Sequence, residues 1–501
     1  MTDTSLVRLS AVRETTAGTT PGSPRMRLAT AAGISLDSNP SYQQSALLRA
    51  DRMNADAELS GEVNGGSIAF EFTYPRSLWP ASEMWRSLFN STWLDTPMHD
   101  NDGTADSACT GVALNNGIFT VTDQSGSGGF AGTAYAVRHL VRMTDFGLAA
   151  NNGIFRVTAN GATQITCAPT TTAAEAAPPA AARMKVVGFE GASGDITATA
   201  TGLGSTALDF TTLGLRVGQW IKIGGTGATF RFATEALNDW ARITGITATA
   251  LTLDNRPAGW GTDAGTTRTI RVWFGDVIRN GTTETALSLE KGYMGQAVPN
   301  YVLQAGMHVV SGDLALSAKQ KVTGSFGFLG MASTSGTTSI DASPDAEADP
   351  ETYPIFTCST NVGRVSEGGA ALAGPNFCRS MRWTWNNNSR SQEAIDRRGA
   401  VGVGMGRADL SITLDSYFGD GALLAKARAG TVTSLSVLLR KANAAGTNMA
   451  VLLTAPRCKL MGFPSAAGPD QDSMLSLTAM PSRDTLTNAH YQMDRLEYFE
   501  P

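Results

Sequence analysis

One order of secondary structure occurs twice along this 501-residue chain. "GGSIAFEFTY" at 65–74 alternates apolar and polar residues as a half-buried strand does, and Pro80 then opens a helix, "PASEMWRSLFN", with a stripe of large apolar residues. "ADLSITLDSYF" at 408–418 alternates in the same way and leads into a second helix, "GALLAKARAG", which Asp420 can cap and Gly430 can end. This recurrence predicts two copies of one domain.

The segments that follow each helix also match in pairs. The pairs are "TALSLE" at 285–290 with "TSLSVL" at 433–438, "YVLQAGMHVV" at 301–310 with "MAVLLTAPRCKL" at 449–460, and "KVTGSFGFLGM" at 321–331 with "DSMLSLTAM" at 472–480. Each half of the chain is therefore predicted to contain a strand, a long polar loop, a second strand, a helix and several further strands.

A shorter repeat interrupts the first half. "NNGIFTVT" at 115–122 is nearly identical to "NNGIFRVT" at 151–158, and "LNDWARIT" at 237–244 is a weaker copy. Asn-Gly tolerates the positive φ of a tight turn, and Ile-Phe-x-Val-Thr favours a strand. Because the apolar positions recur while the polar ones change, we interpret the repeat as a duplicated β-turn-β module rather than a functional loop.

Composition excludes several classes of function. Only 17 % of the residues are charged and 54 are glycine, which is typical of β-sheet with many turns. The net charge of −5 argues against a protein that grips nucleic-acid phosphates. Five cysteines without CxxC spacing and four scattered histidines match no zinc site, disulfide framework or catalytic motif. We predict a protein that is not an enzyme and holds no metal or cofactor, and we expect no signal peptide or membrane span.

Three features that could suggest binding chemistry have simpler interpretations. Trp79, Trp85 and Trp93 could stack on sugars or bases, but their spacing favours a core. "GVGMGR" at 402–407 lacks the Lys-Ser/Thr of a phosphate loop and is interpreted as a hinge into a strand. The acidic segment "IDASPDAEADPETYP" at 340–354 lacks the ligand spacing of a calcium loop and is interpreted as a solvated linker.

The segments outside residues 99–268, which hold the short repeat and are called the insert, resemble tail tube proteins of long-tailed, non-contractile bacteriophages. "SLVRLSAVRETTAGTTP" with "RLATAAGISL" is similar to the N-terminal arm and first strand of that family, and "ALLRADRMNADAELSGEVNGGSIAFEF" to its long loop and next strand. "TALSLEKGY", "AGMHVVSGDLALS" and "KVTGSFGFLGM" resemble its later strands, and "GAVGVGMGRADLSITLDSYFGDGALL" its second copy. The inserted modules depart from the family's minimal pattern.

The resemblance implies an all-β chain with few short helices, built from two tandem tail-tube-type β-sandwich or barrel domains and an inserted pair of small β modules. We expect an N-terminal arm (1–32), a first tube domain (33–98 and 269–335), an inserted appendage (99–268), an acidic linker (336–355) and a second tube domain (356–501). The insert is expected to be replaceable by a short linker.

The resemblance also implies a structural role in the virion. We expect three chains to form a ring with approximate six-fold symmetry, and rings to stack into the tube that delivers the genome. The expected partners are further copies, the tape measure, the tail terminator and the distal tail protein, with DNA passing through the lumen unbound and assembly in the host cytoplasm. The alternative is a binding module of an adhesin, Ig-like or carbohydrate-binding, with the insert as its recognition part.

Two charged loops are the candidate contacts between rings. They lie at 37–65 and 386–406, in corresponding places of the two halves. The candidate residues are Arg49, Asp51, Arg52, Arg390, Arg397 and Arg398. The alternative for both loops is an exposed, solvated segment with no partner.

Overall fold

The chain folds almost entirely into antiparallel β-sheet. The computed structural model describes residues 6–48, 50–101, 112–121, 135–161, 164–346, 354–372, 374–442, 448–464 and 469–498. These residues contain two α-helices, α1 (Pro80–Phe89) and α2 (Ala422–Ala429). The predicted all-β fold class with few short helices is confirmed.

The strands divide among the first half of the chain, the insert and the second half. The segment before the insert holds β1 (Val7–Arg13), β2 (Arg27–Leu28), β3 (Gly33–Ile34), β4 (Asp37–Gln44) and β5 (Ala57–Glu71). The sheet of the insert, which reaches a few residues beyond 99–268 at each end, holds β6 (Met98–Asp100), β7 (Val112–Asn115), β8 (Ile118–Val121), β9 (His139–Thr144), β10 (Gly153–Asn160), β11 (Gln164–Ala168), β12 (Arg183–Glu190), β13 (Thr197–Thr199), β14 (Gly202–Gly204), β15 (Trp220–Ile223), β16 (Trp240–Ile246), β17 (Ala250–Asp254) and β18 (Arg271–Trp273). The first half then resumes with β19 (Asp276–Arg279), β20 (Leu287–Tyr293), β21 (Asn300–Ser317), β22 (Thr323–Gly330) and β23 (Ala332–Gly336). The second half holds β24 (Val362–Glu367), β25 (Ala370–Ala371), β26 (Cys378–Asn386), β27 (Arg390–Gln392), β28 (Gly402–Gly404), β29 (Asp409–Tyr417), β30 (Val432–Ala442), β31 (Asn448–Pro464), β32 (Met474–Pro481) and β33 (Gln492–Tyr498).

The two halves share one pattern of strand pairing. In the first half β1 pairs with β2 and β20, β20 with β21, β21 with β22, and β22 with β5. In the second half β24 pairs with β25 and β30, β30 with β31, β31 with β32, and β32 with β29. The segments that match in the sequence thus occupy equivalent strands, which confirms two tandem domains of one type.

The helices form where the sequence predicts them. Pro80 stands at the start of α1, and Asn90 ends it in the left-handed conformation. The Oδ1 of Asp420 accepts a 2.9 Å hydrogen bond from the backbone N–H of Ala422 at the start of α2, and Gly430 ends that helix with a φ of +60°. Each helix covers one face of its own domain's sheet.

The core beneath α1 joins the two halves. Trp85 of α1 contacts Trp385 of β26 edge to face, with 5.4 Å between ring centroids, and contacts Phe326 of β22 at 5.0 Å. Trp85 and Trp93 are buried, as predicted, whereas Trp79 is only half-buried and lies beneath the guanidinium of Arg76. The halves therefore share one hydrophobic core.

The described residues of the insert form a separate 13-stranded sheet with internal symmetry. Its strand order is β13-β14-β17-β16-β15-β18-β12-β9-β10-β11-β8-β7, with β6 also on β12. The six strands on either side of the β18–β12 contact follow the same order of pairing. Both modules also carry a bulge at the same place, between Val157 and Ala159 and between Ile243 and Gly245. The insert is therefore a duplicated module, in agreement with the sequence.

The repeated Asn-Asn-Gly segments have different structures. Asn116 and Gly117 have positive φ and form the tight turn of the β7–β8 hairpin. Asn152 instead follows a 3₁₀ turn, and its side chain bonds the backbone N–H and C=O of Phe146. Asn238 bonds the backbone of Phe232 in the same way. The equivalent of Asn152 is thus Asn238, and the interpretation of the segment at 151–158 as a tight Asn-Gly turn is wrong.

Two predicted irregular segments make ordered contacts. The expected N-terminal arm contains β1, which pairs with β20 at all seven of its residues. The acidic segment was expected to be a solvated linker. However, Asp345 accepts a 2.6 Å hydrogen bond from Arg25, and Asp341 accepts one of 2.9 Å from the backbone N–H of Met26. The part of this segment at 347–353 lies outside the described residues.

His139 and His308 lie buried in strands. His139 of β9 is buried, and its Nδ1 accepts a 3.0 Å hydrogen bond from the backbone N–H of Ala136. His308 of β21 is also buried, with its Nδ1 3.0 Å from the carbonyl oxygen of Gly306. Residues 402–404 of the "GVGMGR" segment form β28, which pairs with β27. The segment therefore completes a hairpin, leads into β29 and opens no helix.

Candidate assembly interfaces

The two halves are joined by a strand-to-strand seam. β21 pairs with β22 on one edge, and its residues 311–317 pair on the other edge with residues 380–386 of β26. This antiparallel ladder contains seven residue pairs, among them Leu314 opposite Trp383. Asn387, just beyond β26, donates hydrogen bonds to the backbone carbonyls of Leu88 (2.9 Å) and Val309 (3.2 Å). The seam makes one continuous sheet from two domains.

The strands at the two ends of this sheet have open edges. At one end, β31 pairs with β30 as far as Lys459, and residues 460–464 pair with β32 alone among the described strands. At the other end, β3 pairs with β5 alone within the described part of the chain. Unpaired backbone N–H and C=O groups at a sheet edge are ready to pair with another strand. Each chain thus carries one open edge at each end.

The face of the sheet that points away from the helices is polar. One row of neighbours crosses seven strands on this face, and its members are Glu71, Thr323, Ala315, Arg382, Thr413, Thr478 and Met461. Asp415 accepts hydrogen bonds from the hydroxyls of Ser380 (2.9 Å) and Ser476 (2.6 Å), and Asp313 accepts one of 3.0 Å from Arg382. The face carries small hydroxylated side chains with carboxylates held among them.

Two hairpins extend beyond the rim of this sheet. β4 and the first part of β5 pair with each other, and seven of the eight residues of β4 are exposed. β5 pairs with β22 only as far as Asn64, which lies opposite Gly330. Residues 57–63 therefore reach roughly 24 Å past the rim. The second hairpin, β27–β28, lies beside the first, and its Arg398 carbonyl accepts a 2.8 Å hydrogen bond from the Glu62 N–H.

The insert is anchored to the rest of the chain at two places. Where it leaves and re-enters the first half, the Leu94 N–H donates a 2.8 Å hydrogen bond to the Val277 carbonyl. Away from these ends, a buried apolar cluster joins two insert tryptophans to the second half of the chain, and its members are Trp220, Trp240, Leu438, Ala450, Leu452 and Leu496. Trp220 Nε1 also donates to Thr454 Oγ1 at 2.9 Å. The insert is therefore more firmly attached than an appendage on a flexible stalk.

Buried charges complete this junction. Asp276 accepts from Lys185 of the insert at 2.6 Å and from Arg495 of β33 at 2.7 Å. Burial alone would raise the pKa of Asp276, but these two cations hold it well below its ordinary value. Glu497 accepts from two insert arginines, Arg142 at 2.7 Å and Arg183 at 2.9 Å. Three insert cations thus pair with carboxylates of the two halves.

The comparisons with known proteins agree with this geometry. A family model described as phage tail tube protein matches twice, at residues 4–245 and at residues 182–481. The chain belongs to the phage tail tube protein family. The two matches overlap within the insert, so both matches of the tail tube model extend into the inserted modules. A search of curated proteins finds no match, and no helix among the described residues is long and apolar enough to cross a membrane.

The predicted contact residues of this tail tube protein lie on the two hairpins. Asp51 and Arg52 are exposed at the tip of the first hairpin, where Asp51 Oδ1 accepts a 3.2 Å hydrogen bond from the Met53 N–H. Arg390 opens β27, and Arg397 and Arg398 are exposed at the second tip. Arg49 lies outside the described residues. The structure therefore brings the described candidates to one rim of the tube sheet.

Sequence reasoning missed the apolar residues of these tips. Leu47, Leu48 and Met53 on the first hairpin and Ile395 on the second are largely or fully exposed. An isolated two-stranded hairpin is only marginally stable in water, and apolar tips favour a covered state. The missed signal was "ALLRADRM", in which a Leu-Leu pair and a Met interrupt a charged loop without any helical or strand period.

Proposed function

We propose that this chain is the wall subunit of a phage tail tube and acts as a structural protein without catalysis. The observation that carries the proposal is the seam between β21 and β26, which joins two tube domains of one chain edge to edge. The open edges of β31 and β3 lie at the opposite ends of the same sheet. Repeating the contact between chains would close a ring head to tail.

The number of strands supports a wide channel. The continuous sheet has eight strands per chain. Four come from the first half, in the order β3, β5, β22 and β21, and four follow from the second half, in the order β26, β29, β32 and β31. Three chains of eight strands would place 24 around the barrel. Barrels of 16–18 strands already enclose an aqueous channel. A trimeric ring with approximate six-fold symmetry therefore has room for a lumen.

The polar face is the surface that we assign to this lumen. The opposite face is covered by the helices and the aromatic core, so only the polar face is available to line a channel. On the described part of this face, Lys321 is paired with Glu71 and Arg382 with Asp313, among serine and threonine hydroxyls and further carboxylates. DNA would pass along such a wall without being retained, because phosphate binding requires Lys or Arg at the surface.

Stacking of rings is assigned to the two hairpins. Both project from one rim of the sheet, and the first extends roughly 24 Å beyond it, so a copy stacked on that rim would meet them first. The apolar tips would be buried there, and the neighbouring arginines and aspartates would set the register. The ends of the tube would meet the tape measure, terminator and distal tail proteins in the virion, after assembly in the host cytoplasm.

The test is direct observation of the assembled protein. Purified protein would be imaged by negative stain and its smallest ring weighed by native mass spectrometry. We expect rings of three chains of 52.4 kDa each, stacked into tubes, with three equivalent protrusions per ring from the insert. A protein that stays monomeric under all conditions would refute the structural role. Rings of six chains would keep the role but refute the three-fold symmetry.

A further inference from the structure

The end of the seam between the two halves carries a pair of cysteines. We propose that Cys358 and Cys378 form a reversible disulfide within the chain, which staples the two halves together under oxidising conditions. Both side chains are thiols in the structure and both are half-buried. The other two described cysteines, Cys167 and Cys458, are buried. Solvent therefore reaches this pair more readily than the other two thiols.

Cys358 lies in the segment that connects the halves, and this segment is docked on the first half. The Cys358 N–H donates a 2.8 Å hydrogen bond to the Gln320 carbonyl. The preceding residue, Thr357, forms an antiparallel bridge with Lys321. The backbone around Cys358 is thus held by the first half.

Cys378 lies on the other side of the seam, at the start of β26. The carbonyl of the next residue, Arg379, accepts a 3.0 Å hydrogen bond from the Ala318 N–H. Ala318 belongs to a turn in which the Gln320 N–H donates to the Ser317 carbonyl at 3.0 Å. The two cysteines therefore flank one turn of the first half.

The two thiols also contact the same residue pair. Ser317 of β21 and Ser380 of β26 are direct partners at the end of the seam, and the Cα atoms of such partners are about 4.5–5.5 Å apart. The Ser317 backbone hydrogen-bonds the Cys358 thiol, and the Cys378 thiol donates to the Ser380 carbonyl at 3.5 Å. Thiols held on the two members of one residue pair are close enough to react.

The surroundings of the two thiols set the order of reaction. Burial raises the pKa of Cys358, and the hydrogen bond from the Ser317 backbone opposes this effect. Burial raises the pKa of Cys378 to about 12, and the charges of Asp415 and of a Cys358 thiolate add to the shift. Because the thiolate is the nucleophile, Cys358 reacts first.

The oxidant is a small soluble disulfide such as oxidised glutathione. The Cys358 thiolate attacks one of its sulfur atoms, forms a mixed disulfide and releases one glutathione thiolate. Cys378 then loses its proton to solvent, attacks the Cys358 sulfur and releases the second glutathione thiolate. The two protein thiols are thereby oxidised to one disulfide, and one glutathione disulfide is reduced to two thiols.

The bond ties a segment docked on the first half to a seam strand of the second half. A disulfide stabilises a fold mainly by restricting the unfolded chain, here by closing the loop from residue 358 to residue 378. Formation of the disulfide does not depend on the proposed function, but its timing does. In a tail tube, the chain would fold with reduced thiols in the host cytoplasm and form the bond in the released virion.

Oxidation of the full-length protein tests the pair. Every variant carries Cys109→Ser, because Cys109 lies outside the described residues and could capture either thiol. The protein would be incubated with oxidised glutathione, blocked with iodoacetamide, digested without reduction and analysed by mass spectrometry. We expect one cross-linked peptide, which joins Cys358 to Cys378 within a single chain. Its rate of formation should rise about tenfold for each pH unit below the pKa of Cys358.

Urea unfolding measures the effect of the bond on stability. The unfolding midpoint should rise on oxidation and return to its starting value when dithiothreitol reduces the bond. Cys358→Ser should abolish both the cross-linked peptide and the shift. The matched control, Cys458→Ala, removes a buried cysteine and should retain both, each compared with its own reduced form. Circular dichroism of each variant would verify that the β-sheet is retained.

The outcomes separate this inference from the proposed function. Thiols that stay unmodified, glutathione adducts without the cross-linked peptide, or disulfides between chains would overturn the inference, whether or not tubes assemble. A protein that forms the disulfide and never assembles supports the inference and counts against the proposed function alone.

Discussion

Replacing Arg495 by methionine should weaken the junction between the second half of the chain, which carries Arg495, and the first half, which carries its acceptors. The Arg495 guanidinium donates five hydrogen bonds from a fully buried position. The acceptors are Asp276, Pro75, Ser82, Ser77 and Asp95, at 2.6–2.9 Å. The guanidinium also lies 3.8 Å from the ring centroid of Trp93. Methionine fills the space but satisfies none of these acceptors.

The expected cost is large because the acceptors stay buried. Without Arg495, Asp276 retains only Lys185 as a cation within hydrogen-bonding distance in the described part of the chain. Removing one partner of a buried ion pair typically costs about 3–5 kcal/mol. Domains are stable by only about 5–15 kcal/mol, so this loss is a sizeable fraction of the total. We expect the junction to unfold at a clearly lower urea concentration than in the parent protein.

The assay is urea unfolding followed by tryptophan fluorescence, which senses Trp93 beside the guanidinium and Trp220 at the insert junction. The matched control is Arg407→Met, which removes an arginine paired with Asp409 at 2.9 Å on the exposed surface. Exposed ion pairs contribute little to stability, so the control should unfold with the parent. Equal unfolding midpoints for Arg495→Met and Arg407→Met would refute the reasoning that the buried network stabilises the junction.

Three further predictions follow from the same contacts. The sequence alone predicts that replacing the insert with a short linker is harmless. Because the insert covers Leu438, Leu452 and Leu496, we instead expect the deletion to give insoluble protein unless these three leucines are also made polar. Soluble rings from the simple deletion would contradict this. The double variant Leu47→Ser with Leu48→Ser, and the single variant Arg397→Glu, should each give folded rings that stack poorly, as measured by sedimentation. Added salt should change the stacking of Arg397→Glu only, because salt screens charges. A lowered melting temperature would indicate a folding defect instead. Burial raises the pKa of Asp494 from 3.8 to about 7, so the folded state holds a proton that the unfolded state releases, and this group should lower stability as pH rises from about 4 to about 7. Asp494→Asn should flatten that part of the stability curve, and an unchanged curve would exclude this assignment.

The elements that sequence alone could predict are those with a strong local pattern. α1 and α2 were predictable because Pro80 and Gly430 mark helix ends beside apolar stripes. The long hairpin β4–β5 was expected as a loop. Near the tip its two strands pair only with each other and both faces are exposed, so the sequence shows no alternation of apolar and polar residues there. The hairpin's stacking role rested on the family resemblance alone.

Features fixed by distant partners were not predictable. Asn152 and Asn116 stand in almost identical octapeptides, yet Asn152 bonds to the backbone of Phe146 while Asn116 turns a hairpin. The junction between the two halves depends on Arg495, which lies more than 200 residues along the chain from Asp276, so no spacing rule could connect them. Local sequence therefore predicted the modules, and long-range packing determined how they are joined.

The duplication has a consequence for how a ring would close. In a ring of three chains, three of six seams are internal, contain seven residue pairs and form whenever a chain folds. The other three would have to form between separate molecules. Tethering raises the effective concentration of the second domain at the internal seam to the millimolar range, so only the seams between chains depend on protein concentration. Dilution should therefore break the seams between chains and leave the internal seam of each released chain paired. Replacing Val432 with proline would unpair Lys459 and lengthen the open edge of β31, which should favour rings at lower concentration. Analytical ultracentrifugation over a dilution series would measure this, and a variant that dissociates at the same concentration as the parent would show that Lys459 does not limit the seam.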